Sequence, residues 1–380
     1  MESIVEHNKC TGCTACYNIC PKGAISLEES SDGFKYPVIN KDKCINCGLC
    51  RKVCPVLNSK EIKKEVYAYA CYNKDKKIRK KSSSGGMFNL IGSYIIENDG
   101  VVFGAKYDAD FNVVHDYVND KKDLYKFMSS KYLQSSLNDN YKKVSIFLKE
   151  GIKVLFTGTP CQIEGLYSYL GKDYDNLYTQ DIICHGCPSP KVWRKYLNSF
   201  KEKVTNVNMR NKDNGWNDFS MKIDFENKSF NLSHNIDKYM YFFLSNFSLR
   251  ESCYNCSFKN KYRKSDITLA DFWGIDNIKP ELNDDKGISL VLVNSKKGKE
   301  LFDEIKDKLI YEEVDFEKSI SYNTGMTESC AMTKKRNSFF KDLDKMSFDK
   351  LYEKYKPKDK IVFKCKRLLK RILVKLKIMK

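Results

Sequence analysis

The sequence predicts a multidomain chain of α+β and α/β parts. A small cysteine-rich module comes first, then a body with a mixed, partly parallel sheet, then a C-terminal amphipathic helix. Three observations predict it. Eight of the sixteen cysteines fall in two identically spaced runs before residue 58. From residue 66 onward, strand-like and helix-like patterns alternate. The last segment, 356–380, carries eleven Lys or Arg against one Asp, with apolar residues at spacings of three and four.

The cysteine runs come first in the chain and carry the strongest signal. One is Cys10, Cys13, Cys16 and Cys20 followed by Pro21; the other is Cys44, Cys47, Cys50 and Cys54 followed by Pro55. Two-residue spacers let a tight loop wrap an iron–sulfur cubane and offer three thiolates from one side. The fourth cysteine lies too far along to close the same cube, so it ligates the other one. Cys10, Cys13, Cys16 and Cys54 are thus predicted to hold one 4Fe–4S cluster, and Cys44, Cys47, Cys50 and Cys20 a second. This is the bacterial-type dicluster ferredoxin fold, spanning residues 1–58. Gly12 and Gly48 suit a backbone that runs close to a cluster. AISL and YPVI around Asp32-Gly33 form a hairpin between the two loops. Zinc, which takes four ligands in pairs, does not explain a triplet plus a distant Cys-Pro occurring twice.

Residues 59–65, SKEIKKE, read as a charged linker. VYAYACYN (66–73) alternates like a strand. SSSGG (82–86) leads into the helix MFNLIGSYIIE, which Asn98-Asp99-Gly100 ends, and the strand VVFGA follows. KVLFTG (153–158) is a strand, CQIEGLYSYL a helix, NLYTQDIIC a strand, and KVWRKYLNSF a helix begun after Pro190. Further strands are expected at DITLADFW (266–273) and ISLVLVN (288–294). A helical extension is expected over 311–355.

Five more cysteines sit in short motifs: Cys161 in TGTPCQ, Cys184 and Cys187 in CHGCPSP, Cys253 and Cys256 in SCYNC. Four thiolates from separate loops build a third cluster equally as well as the two pairs build a structural zinc site, and spacing does not choose. Cys71, Cys330 and Cys365 stand alone and read as ordinary thiols. SSSGG opening a helix offers hydroxyls, close backbone approach and a helix N-terminus to a phosphate, but Ser-Gly is also an ordinary cap and turn. His185 and Asp181, beside Cys184, read as hydrogen-bonded structure.

The net charge of +18 is mostly a property of the tail. Residues 356–380 account for +10 of it, leaving +8 for the rest of the chain. Nucleic-acid binding, which would need a basic patch with aromatic platforms, is therefore not expected. IVFKCKRLLKRILVKLKIMK (361–380) reads as a basic amphipathic helix, suited either to an anionic membrane surface or to docking on protein. No signal peptide or membrane-spanning run is visible, and the cysteine usage suits a reducing compartment. The expected location is cytoplasmic, with peripheral attachment to the inner face of the membrane through the tail.

From SSSGG through VVFGA, SSKYLQS (129–135), LFTGTPCQIEGL, DIICHGCPSP, NGW (214–216), RESCYNC, DITLADFWGI and GISLVLVN, the chain resembles the coenzyme F-420 hydrogenase/dehydrogenase beta-subunit family. The likeness runs in unbroken motif order to about residue 310. It implies an α/β flavoprotein core divided into an N-terminal domain (66–141) and a C-terminal domain (142–310). It also implies a third 4Fe–4S cluster on Cys161, Cys184, Cys253 and Cys256, with Cys187 as a departure from the family pattern that competes with Cys184. Bound FAD is implied too, with Ser83, Ser84, Gly85, Gly86, Lys131, Thr157, Gly158 and Thr159 as its expected contacts. The activity implied is that of an iron–sulfur flavin-dependent oxidoreductase. It would relay electrons between clusters and a two-electron partner: the deazaflavin coenzyme, a ferredoxin-linked substrate or another small-molecule acceptor. The alternative is a non-catalytic electron-transfer subunit that delivers electrons to a separate enzyme.

Overall fold

The computed structural model describes residues 3–58 and 63–357. The basic segment 361–380, with Cys365, lies outside the described residues, as do residues 59–62 of the linker. Residues 1–336 form one compact unit and 337–380 a second.

The N-terminal module contains α1 (Ala15–Ile19), β1 (Ile25–Glu29), β2 (Lys35–Ile39) and α2 (Leu49–Lys52). β1 and β2 pair antiparallel with Leu27 opposite Pro37, so the expected hairpin is present. Its turn uses Gly33 at φ 82°. The duplication shows in the backbone as well as in the spacing. The residue two after the first cysteine of each run has positive φ (Gly12 71°, Asn46 54°), and so does the residue after the second cysteine (Thr14 62°, Gly48 75°). Each run therefore turns through the same left-handed steps, which glycine or asparagine accept at little cost.

The body follows in the order β3 (Tyr67–Asn73), α3 (Lys76–Lys81), α4 (Met87–Glu97), β4 (Val101–Tyr107), β5 (Val113–Val118), α5 (Asn140–Lys149), β6 (Val154–Thr157), α6 (Pro160–Leu170), β7 (Leu177–Ile182), α7 (Pro190–Leu197), β8 (Asn206–Asn211), β9 (Ser220–Asp224), β10 (Ser229–Ser233), α8 (Lys238–Leu244), β11 (Ile267–Asp271), α9 (Ile275–Ile278), β12 (Ser289–Val293), α10 (Lys296–Ile305), β13 (Leu309–Val314) and α11 (Phe316–Ser321). An eight-stranded sheet has the order β13-β3-β12-β11-β7-β6-β4-β5. Its centre, β11-β7-β6-β4, is parallel, and its flanks are antiparallel. A separate three-stranded sheet, β10-β9-β8, was not anticipated from the sequence. The helical extension expected from residue 311 begins later, because 311–314 belong to β13 and pair with β3. LIYEEV has two adjacent glutamates and is mostly exposed between Leu309 and Val314, a weaker signal than a fully buried strand.

Both faces of the large sheet are covered. Along β12, Val291 and Val293 face the cluster formed with α4 and α10 (Ile91, Ile95, Phe302), while Leu290 and Leu292 face Trp216 and Phe272 on the other side. That is the two-residue period of a strand buried on both sides. Each such side chain contributes about 1.5–3 kcal/mol by leaving water. Near β6, Phe156, Ile163, Leu166, Tyr141 and Val144 form a third cluster that also takes in Cys13, Ala15 and Val53 of the N-terminal module. The module is thus packed into the body's core through α1 and α6. The second unit holds α12 (Arg336–Leu343) apart from its first residue, and α13 (Phe348–Tyr355); within it Asp342 accepts hydrogen bonds from Lys354 and Tyr355.

Candidate functional site: three sets of thiols

The sequence grouping of the first eight cysteines is reproduced in space. Cys20, Cys44, Cys47 and Cys50 line one cavity, and Cys10, Cys13, Cys16 and Cys54 line another. Cys20 thus lies with the second run and Cys54 with the first. The two cavities differ in depth. Cys47 is exposed and Ile45 beside it is 58% exposed, whereas Cys10, Cys13 and Cys54 are buried. The Ala24 N–H donates to Cys20 Sγ (3.3 Å).

A third cavity is lined by Cys161, Cys184, Cys187, Cys253 and Cys256 together. Cys161 comes from the first turn of α6, which Pro160 opens and a Thr159/Gln162 capping box fixes. Thr159 Oγ1 lies 3.1 Å from Cys161 Sγ. Cys184 and Cys187 come from the loop after β7, and Cys253 and Cys256 from a short turn after α8. The Cys187 N–H donates to Cys253 Sγ (3.3 Å), and the Cys256 N–H to Ser329 Oγ (2.9 Å). Cys330, a lone thiol in the sequence, donates to the His185 carbonyl (2.8 Å) at the margin of this cavity. Cys71 is wholly buried in β3. His185 Nε2 pairs with Asn246 Oδ1 (2.8 Å) and Asp181 accepts from Thr268, so both act in hydrogen-bonded structure.

Among the described residues no three His, Cys, Asp or Glu converge closely enough to grip one metal ion. The thiols instead ring cavities, as a multi-atom group requires. Burial pushes Cys16 and Cys161 up to about 12 and Cys184 up to about 11, and neighbouring thiols add to the effect. Left to themselves such thiols stay protonated at neutral pH. A bound cationic centre would supply the charge that lets several of them ionise side by side.

The second and third sites adjoin. A Cβ on Gly165 would stand 2.9 Å from Cys13 Cβ and 3.1 Å from Cys13 Sγ. Gly165 lies one helical turn beyond Cys161, so α6 presents Cys161 to one cavity and rests against a ligand thiol of the other. Sequence reading missed Gly165; only the docking of α1 on α6 gives it meaning.

The residues expected to contact FAD divide into two groups. Ser84 Oγ donates to the Ile288 carbonyl (2.6 Å), and a Cβ on Gly85 would meet the Cys71 carbonyl at 2.5 Å, so both pack the loop on the sheet. Gly86 caps α4 at φ 89°. Thr157 Oγ1 donates to the Phe103 carbonyl (2.9 Å), Gly158 abuts Gln162, and Thr159 serves the third cavity. Ser83 and Lys131 are placed differently. Ser83 Oγ meets Ser130 at its Oγ (2.9 Å) and its N–H (2.7 Å). Among the described residues, Lys131 Nζ donates only to the carbonyls of Met128 and Ser129, at 3.0 and 3.3 Å, and burial pushes it down to about 7. An amine held without a counter-charge fits an anionic group such as a pyrophosphate.

Two family models match the chain. Residues 9–58 match the model of the 4Fe-4S dicluster domain, and residues 151–319 match the model for the C terminus of the coenzyme F420 hydrogenase/dehydrogenase beta subunit. No curated protein matches. Among solved structures, a chain from a xenon derivative of the F420-reducing NiFe hydrogenase complex of Methanosarcina barkeri is similar, at 17% identity and a TM-score of 0.45. The match covers 76% of this chain and 90% of that one.

Proposed function

Since residues 151–319 belong to the coenzyme F420 hydrogenase/dehydrogenase beta-subunit family and residues 9–58 are a 4Fe–4S dicluster domain, we propose that the chain is an iron–sulfur flavoprotein oxidoreductase. It exchanges electrons between one-electron carriers and a small organic acceptor such as the deazaflavin coenzyme. Clusters handle single electrons and a flavin handles one or two, which is the chemistry the bound groups supply. The observation that carries the reading is the abutment of Cys13 on Gly165, one turn from Cys161. It puts a dicluster thiol set and the five-thiol cavity in contact through one helix.

The chain's own residues have separable tasks. Cys161, Cys184, Cys253 and Cys256 hold the third cluster, with Cys187 close to Cys253 through its N–H. Thr159 and Gln162 fix the start of α6 and so the direction of Cys161. Lys131 and Ser83 hold the anionic part of FAD. A second reading, an electron-transfer subunit serving a separate enzyme, is favoured by one feature: the exposed rim at Cys47 and Ile45, open to a protein partner.

Anaerobic purification with iron and flavin analysis tests the proposal. About twelve irons per chain and one releasable FAD are expected. About eight irons with one zinc would remove the third cluster, and a flavin-free supernatant after reconstitution would remove FAD. Reduction assays offering ferredoxin, reduced nicotinamide and reduced deazaflavin then separate an enzyme from an adapter.

A further inference from the structure

Charge distinguishes the three thiol cavities. The outer one, around Cys44, has Lys22 as its charged lining residue and opens to solvent at Cys47. The middle one, around Cys10, has Lys35 in its lining and the Arg250 guanidinium against Cys10. The inner one is lined by Arg250, Lys259 and Arg263 and by no Asp or Glu among the described residues. Other buried arginines are paired with carboxylates: Arg79 with Asp284, Arg210 with Asp271, Arg336 with Asp32. Arg250, Lys259 and Arg263 instead donate to carbonyls and side-chain amide or sulfur acceptors rather than to carboxylates, with Asp181 and Glu164 near enough to Arg263 to feel its charge.

Arg250 joins two of the cavities. Its guanidinium is buried at 1% exposure. Nε donates to the Cys10 carbonyl (2.7 Å), Nη2 lies 3.6 Å from Cys10 Sγ, and Nη1 donates to Gln134 Oε1 (2.9 Å). The ring of Tyr36 supports it at 4.0 Å. Its backbone is tied to the inner set, accepting from the Cys253 N–H and donating to the Cys187 carbonyl, each at 2.9 Å. A Cβ on Gly12 would fall 2.9 Å from Nη1, so glycine there makes room for the guanidinium.

We infer that Arg250, backed by Lys259 and Arg263, is a positioning charge that grades the three thiol sites, making reduction easiest at the inner set, intermediate at the Cys10 set and hardest at the Cys44 set. Reduction of a thiolate-bound cluster adds one negative charge and makes or breaks no bond. A fixed cation a few ångströms away in a low-dielectric setting stabilises the reduced form. The electron is supplied by an external one-electron donor at the exposed Cys44 face, so the bias runs inward to the body. The inference rests on the three-cluster reading above.

The test is an EPR-monitored redox titration of the anaerobic full-length holoprotein, with iron determined on every sample. A Cys44→Ala/Cys47→Ala variant identifies the outer signal. In the wild type the Cys10 signal should titrate above the Cys44 signal and below the inner one. Arg250→Gln, with iron unchanged, should lower the reduced-to-oxidised ratio of the Cys10 signal at least tenfold at fixed potential, about 59 mV for one electron. Arg250→Lys should restore most of that shift. A flat or inverted order in the wild type overturns the inference. So does an unmoved Cys10 potential in fully loaded Arg250→Gln. If Arg250→Gln loses iron, the wild-type order decides alone. Iron near eight sinks the three-cluster reading and the inner rung of the order with it, while the Cys10 response to Arg250→Gln still upholds or overturns the part that assigns Arg250 to the Cys10 site.

Discussion

The N-terminal module and the third thiol cavity arrive at similar chemistry by opposite routes. The module draws its ligands from two short repeats between Cys10 and Cys54, each turning through the same positive-φ steps. The third cavity draws on three segments far apart in the chain: the start of α6, the loop after β7 and the turn after α8. A local site is specified by spacing and depends on its metal for stability. A composite site is specified by the sheet and its loops, and exists only after the body has folded.

Removing ligands from each should sharpen that contrast, with the largest effect in the module. Cys16→Ala should cost both N-terminal clusters, about eight irons, because so small a module leans on bound metal to stay folded. Iron analysis with EPR reads this; loss of only about four irons would mean the two clusters are independent. Next, Cys184→Ala should cost about four irons and leave the dicluster signal intact, while Cys187→Ser keeps the full count. The reverse result would make Cys187 the ligand.

Smaller effects test the joint between the regions. Gly165→Val drives a side chain into Cys13 and Tyr141, whose Oη stands 2.9 Å from the added Cβ. It should destabilise the protein by about 1–3 kcal/mol, read by thermal unfolding, and slow internal electron transfer in stopped flow. An unaltered transfer rate would detach that contact from the electron path. Thr159→Ala removes the capping box of α6 and should cost about 1 kcal/mol with iron content retained.

The same contrast explains what was legible beforehand. Helix Met87–Glu97 and strands Tyr67–Asn73 and Ser289–Val293 were readable because their apolar period is long and their stop signals are strong. The eight N-terminal ligands were readable because a cubane dictates spacing. β13 and the β8-β9-β10 sheet were not, since their runs of five or six residues mix glutamate, asparagine and serine into a short pattern. Spacing could name the five cysteines of the third cavity but only the family resemblance grouped four of them, because nothing local joins Cys161 to Cys256. Arg250 and Gly165 fall inside the motifs RESCYNC and LFTGTPCQIEGL, but nothing local assigns either of them a role. One is an arginine before a cysteine motif and the other a glycine inside a helix, and each acquires a role only when the module docks.

The position of β3 has a consequence for how the chain is made. Strand Tyr67–Asn73 lies between β12 and β13, so its two partners are residues 289–293 and 309–314. On the ribosome the N-terminal thiols emerge complete while β3 still waits, with both edges bare, for most of the polypeptide to follow. Iron–sulfur assembly on the nascent module can therefore precede closure of the body. A chain truncated before residue 309 would keep its first two cubane sites, yet present an unguarded strand prone to aggregation.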